Sequence, residues 1–226
     1  VGRVSVQLAD IGTSEMELLK TKLKRQIDEI FDPEKYDIKL TGTSVIFLEG
    51  TTYLVRNLFV SLFLAVILIS IFMAWMFNSF RMVVVSLIPN LIPLLLTAAI
   101  MGYFGVAIKP STILVFSIAF GISVDDTIHF LAKYRQELKA RKYNIRPAVL
   151  AAIKETGVSM IYTSIVLFFG FFIFMASQFG GTVALGLLVS ITLLIAMLSN
   201  LVVLPALLLT LEKSINLEAF REPLLN

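Results

Sequence analysis

Residues 121–129 read Gly-Ile-Ser-Val-Asp-Asp-Thr-Ile-His: two adjacent carboxylates and the chain's single histidine, set in an apolar run from Ser111 to Tyr134. A charged side chain at the centre of a bilayer costs roughly 2.5–3.5 kcal/mol on insertion scales. Asp125 and Asp126 in succession are therefore hard to read as passengers. An ionisable group at that depth marks a functional site by default, usually a proton or ion relay. The rest of the chain reads as scaffold around the pair.

The composition agrees with a membrane setting. Of 226 residues, 58% are hydrophobic and only 15% charged, against about 25% charged in a soluble domain. Mean hydropathy is +0.89. Residues 51–226 contain five apolar runs: Leu58–Phe77, Met82–Tyr103, Ser111–Tyr134, Val158–Ala176 and Thr182–Leu211. A spanning helix needs about 20 such residues, so each run qualifies. The last is long enough to tilt. Pro89, Pro93 and Pro205 lie within runs, where neighbouring helices can satisfy the freed backbone groups.

The first 50 residues differ, with nine acids and seven bases. Val4, Val6 and Leu8 alternate with polar residues as a strand does, and Tyr36–Leu40 reads as a second strand. Between them, Ser14 and Glu17 fit a capping box. Met16, Leu19, Leu23, Ile27 and Ile30 mark one face of a helix that Asp32-Pro33 should stop near Phe31. The expected fold is thus a five-helix transmembrane bundle (51–212) behind a small extracytoplasmic βαβ module (1–50), with a cytoplasmic tail (213–226). The chain opens on Val inside a strand-like run, which reads as part of something longer.

Charge sets the expected orientation. The link between the third and fourth runs, with its flanks, carries Lys133, Arg135, Lys139, Arg141, Lys142, Arg146 and Lys154. The link between the fourth and fifth, Ser177 to Gly181, carries no charge. The basic link should be cytoplasmic, which also explains a pI of 9.1 without nucleic acid. Asn144 to Lys154 reads as a short helix on the inner surface.

On a helical wheel Ser117, Gly121, Asp125, His129 and Lys133 step by four along one side, with Asp126 beside Lys133. Lipid would reject that stripe, so it should face the bundle interior. Gly121, without a side chain, leaves room for a helix or water at the carboxylate. Counting depth at about 1.5 Å per residue puts Asn90 level with the acids, Thr163 somewhat shallower and Ser159 nearer the surface. Asn90 and Thr163 are expected to hydrogen-bond near the carboxylates. A carboxyl buried without a fixed cation titrates nearer neutrality, the property a proton carrier needs. The same residues also admit plainer roles. The acids could sit in a structural polar network. His129 could be an i,i+4 partner of Asp125 or take part in proton transfer. Asn90, Ser159 and Thr163 could be ordinary interhelical bonds.

Several chemistries are excluded. There is no cysteine, hence no disulfide or thiolate site. One histidine cannot build a His-cluster metal site. An aspartyl protease needs carboxylates facing each other across helices, whereas Asp125 and Asp126 are neighbours pointing about 100° apart. Ser123 lies about 120° around the helix from His129, a poor serine–histidine pair. No Walker-type loop is present. An enzyme is not expected.

Ala119-Phe120-Gly121-Ile122-Ser123-Val124-Asp125-Asp126-Thr127-Ile128-His129-Phe130 resembles the acid-helix motif of the RND superfamily, in its MMPL-like and sterol-sensing-domain branch. Tyr134-Arg135-Gln136-Glu137 follows the same branch. Lys154-Glu155-Thr156-Gly157 through Tyr162-Thr163-Ser164, then Phe169-Gly170-Phe171 and Phe179-Gly180, resemble its next helix. Leu204-Pro205-Ala206-Leu207-Leu208 resembles the end of its last. Residues 38–49 resemble the return from the porter domain into the membrane. The resemblance implies helices two to six of a six-helix repeat, from the C-terminal half of a permease. It implies proton-driven export of hydrophobic or amphipathic substrates, lipids among them, in a bacterial inner membrane. Asp125, Asp126 and His129 would be the relay, supported by Gly121, Asn90, Ser159 and Thr163. The implied coupling ion is the proton, with no cofactor. The implied partners are the N-terminal half and porter domain of the same permease, and further copies in a homo-oligomer, but no nucleic acid. The alternatives are a sterol-sensing-like lipid sensor that transports nothing and an accessory subunit of a protein-secretion complex.

Overall fold

The structure, a computed structural model, describes residues 2–8, 13–32, 35–77 and 79–210. Among these residues all regular structure is helical. The helices are α1 (Thr13–Ile30), α2 (Thr43–Phe77), α3 (Phe80–Tyr103), α4 (Pro110–Ala140), α5 (Ile145–Phe172), α6 (Gly180–Leu198) and α7 (Leu204–Thr210). A 3₁₀ turn, Ile173–Ala176, follows α5, and a π turn, Ser199–Val203, joins α6 to α7. Contacts divide the chain into two compact units, Val1–Asn57 and Leu58–Asn226.

In the first unit the βαβ expectation fails. The helix forms, but the two predicted strands do not. Val4 and Val6 stand 90% and 74% exposed, and Tyr36 and Ile38 are exposed too. A strand is stable only against others on a buried face, and neither run has a ladder partner among the described residues. Alternation recorded strand propensity without the neighbours that realise it. The helix starts at Thr13, so Ser14 lies inside it and is not its cap. Pro33 lies outside the described residues. Helix α1 is tied to the start of α2 by an ion pair between Lys20 Nζ and Glu49 Oε1, with Met16 and Leu48 buried in the same unit.

Five stretches among the described residues are long and apolar enough to cross a membrane, the first of them beginning in the first unit. These are α2, α3, α4, α5 with its 3₁₀ turn, and α6 through α7. Helices α4 and α6 pack against each other and each against α3 and α5. Helix α4 opens on Pro110 at its first position, where no N–H is needed, and Thr112 Oγ1 accepts the Lys109 N–H at 2.8 Å. It runs on past the apolar stretch to Ala140. The inner-surface helix expected over Asn144–Lys154 is instead the beginning of α5. Ile145, Ala148, Val149 and Ala152 recur on one face and are buried against the bundle, so the helix has no reason to break. Lys142 and Tyr143 adopt left-handed backbone, φ 55° and 63°. That lets the Tyr143 N–H return to the Leu138 carbonyl at 2.8 Å, closing α4 and reversing the chain.

Gly186 sets the approach of α6 to α5. A Cβ there would lie 2.7 Å from the Phe171 carbonyl oxygen and 2.8 Å from Phe174 Cβ. At the end of α6, Pro205 has no N–H for the Leu201 carbonyl. The helix widens ahead of it, with Leu204 N–H donating five residues back to Ser199, a common companion of functional sites. The predicted tail, 213–226, and Leu211 lie outside the described residues.

Candidate functional site

Two faces of α4 carry polar groups. The outward one is the stripe read from the sequence. Ser117, Gly121, Asp125 and His129 are all exposed. Asp125 and His129 are 71% and 73% exposed at the side chain, with Nε2 and Oδ1 3.5 Å apart. The expectation that the stripe turns into this bundle therefore fails over Ser117 to His129, while Lys133 at its end is mostly covered and meets Glu155 of α5. Apart from its own turn of helix, nothing among the described residues comes within 4 Å of a Cβ built at Gly121. Asp126 is half-buried at the border between the two faces. Among the described residues its carboxylate has no hydrogen bond or ion pair of its own.

The stripe continues onto α5. Lys133 Nζ bridges Glu155 at 2.6 Å and Glu137 at 3.2 Å, and Glu137 also holds Arg141 at 3.1 Å. This network joins the antiparallel helices at one end. From the Lys133–Glu155 pair, one turn up α4 reaches His129, and one turn up α5 reaches Ser159. The second turn reaches Asp125 and Thr163. Ser159 and Thr163 are exposed, and Thr163 Oγ1 donates only within its own helix, to the Ser159 and Met160 carbonyls at 3.1 Å. They share the outward surface with the acids but do not hydrogen-bond to them.

The inward face was not anticipated. Asn90, on α3, is fully buried. It meets the neighbours of the acids on α4 and not the acids themselves. Its Oδ1 accepts from Ser123 Oγ at 2.7 Å and faces Thr127 Oγ1 at 3.1 Å. Its amide donates to the Ser86 carbonyl at 2.7 Å. Thr127 Oγ1 also lies 2.8 Å from Oδ1 of Asn200, in the π turn, and Asn200 Nδ2 donates to the Ser123 carbonyl at 3.0 Å. Ser199 Oγ donates to the Pro89 carbonyl at 2.8 Å. A similar bond, Thr97 to Thr192 at 2.6 Å, ties α3 to α6. Sequence reading weighed Ser123 only as a nucleophile and passed over Thr127, Ser199 and Asn200. The available signal was a Ser-Asn pair in an apolar run six residues before Pro205.

The arrangement thus holds a neutral, fully partnered network on one side of α4. On the other is an open polar strip with two carboxylates and an imidazole. Among the described residues no group of three or more His, Asp or Glu could hold a metal.

The MMPL family model matches residues 1–221. The chain belongs to the MMPL family. This MMPL chain is therefore a multi-pass membrane protein of a transporter family within the RND group, as its acid motif and five apolar helices imply. It is also 31% identical over 136 residues to the hopanoid transporter HpnN of Burkholderia multivorans. That match covers 58% of this chain and 15% of the relative's length.

Proposed function

We propose that this chain is part of a proton-motive-force-driven RND-type exporter of hydrophobic or amphipathic substrates, with hopanoid-like lipids as the first class to try. Asp125 and Asp126 carry the proton, and His129 sits on Asp125 as its nearest exchange partner. Protonation alters how α4 packs on its outward side, and the change passes to the substrate-handling domain. The observation that carries the reading is the outward strip itself. Two carboxylates, an imidazole and two hydroxyls at this depth would be rejected by lipid. They fit a surface covered by another polar protein face, with access for protons.

That cover, in this reading, is the companion half of the same permease, whose own polar helix lies against Asp125 and Gly121. The basic α4–α5 link faces the cytoplasm and residues 1–50 lie outside, following the positive-inside rule. The membrane is then the bacterial inner membrane.

The test is transport by the full-length permease in proteoliposomes, with a hopanoid as probe and an imposed pH gradient. Wild type should move the probe only with the gradient. Asp125→Asn and Asp126→Asn should each reduce gradient-driven movement to background. Undiminished export by both variants would end the relay. Specific probe binding by wild type, with no movement under any gradient, would favour the lipid sensor.

A further inference from the structure

Beside the acid pair lies a cluster with no ionisable group, and its geometry is unusually determined. Pro93 lacks the N–H that would bond the Pro89 carbonyl, and Ser199, the first residue of the π turn, donates to that oxygen at 2.8 Å. The π turn therefore docks where α3 has lost a bond. Docking there brings Asn200 between α3 and α4. Thr127 has one hydroxyl proton and three acceptors in reach: Asn200 Oδ1 at 2.8 Å, the Ser123 carbonyl at 3.0 Å and Asn90 Oδ1 at 3.1 Å. Ser123 Oγ, at 2.7 Å, already donates to Asn90. Asn200 Oδ1 is thus left to Thr127, its shortest contact. With that choice each amide oxygen has one donor. The Asn90 and Asn200 amides donate to the Ser86 and Ser123 carbonyls. All members are buried, so any slide of α4 against α3 or the π turn would strand polar groups in a dry core.

We propose that Asn200, presented by the π turn, is a positioning residue for the acid pair, holding α4 in register through Ser123 and Thr127. Thr127 adjoins Asp126, and Ser123 lies two residues before Asp125, so this register sets where the carboxylates stand. The inference rests on the relay reading for its functional consequence and on the hydrogen bonds for its mechanics. The charged groups in the surroundings are few. Helix α4 supplies Asp125, Asp126, His129 and Lys133, and towards its end Arg135, Glu137 and Lys139. Helix α3 has Arg81 and Tyr103, α6 through α7 have none, and α2, which packs against Phe120 and Val124 through Leu62 to Ile69, has Glu49, Tyr53 and Arg56 near its start. Helix α5 has Arg146, Lys154, Glu155 and Tyr162, of which Glu155 is paired with Lys133.

The experiment uses the full-length permease and two readouts. The first is a thermal-unfolding double-mutant cycle of Asn200→Ala and Thr127→Val. The expected result is coupling: the double variant unfolds at about the temperature of the worse single variant. The second is the pH midpoint of the infrared band of protonated carboxyl groups. Asn200→Ala and Thr127→Val should each shift it by about half a unit or more, while Thr127→Ser, which keeps the hydroxyl, stays at the wild-type value. Additive losses in the cycle would overturn the register. Coupling with an unmoved midpoint would reduce Asn200 to a structural bond and overturn its positioning role. If Asn200→Ala does not fold, Thr127→Val against Thr127→Ser carries the decision. A titrating band that persists unchanged in Asp125→Asn and Asp126→Asn would instead sink the relay, and the unfolding cycle would still read the register.

Discussion

The two faces of α4 are built from similar sequence and do opposite things. Inward, Ser123 and Thr127 meet two asparagines in a closed set of short hydrogen bonds with no formal charge. Outward, two residues away along the chain, Asp125 and His129 pair at 3.5 Å and are otherwise open. A buried network must be fully satisfied and stays put, because moving it leaves dry polar atoms unpaired. An open ionisable pair can change charge without such a penalty. One helix can therefore be anchored on one side and responsive on the other.

That contrast predicts that variants on the outward face lose coupling and keep stability, while inward ones lose stability. The largest effect should be on transport by Asp126→Asn, which falls to background with little change in unfolding temperature. Next comes Asn90→Ala. It leaves the Ser123 hydroxyl without its 2.7 Å acceptor and creates a void, and should cost about 1–3 kcal/mol in thermal unfolding. Gly186→Ala is the control away from α4. Its Cβ would press on the Phe171 carbonyl, costing about 1–3 kcal/mol, and export per folded molecule should keep the wild-type pH profile. Smallest is the stability change in His129→Gln, no more than about 1 kcal/mol, since Asp125 is its one ion-pair partner among the described residues. An inward variant that left stability untouched, or a destabilised His129→Gln, would erase the distinction.

The five membrane helices were legible because about 20 apolar residues in a row have few other uses. Their ends were not. Helix hydrogen bonding does not stop where apolarity does, so α2 begins at Thr43 and α5 at Ile145, well before the apolar runs. The strands at Val4–Leu8 and Tyr36–Leu40 failed because alternation shows only a preference, and pairing depends on neighbours. The wheel grouped Ser117, Gly121, Asp125 and His129 correctly. It could not say which way they face, because a period fixes which residues share a side and not what covers it. Asn90 was found by depth, but its partners were mistaken. Depth ranks residues along the normal and says nothing of azimuth, which is why Thr163 was expected to hydrogen-bond near the acids; it shares their outer strip but donates only within its own helix. Asn200 was missed for a related reason. Its direction is set by a π turn, and regular 3.6-residue counting fails across such a turn.

The most direct test is the infrared difference spectrum of the full-length permease between neutral and acidic buffer. A protonated-carboxyl band should appear on acidification in wild type and be lost in Asp126→Asn, reduced or shifted in Asp125→Asn, and kept in Thr127→Ser. An identical band in wild type and in the Asp125→Asn, Asp126→Asn double variant would contradict the relay.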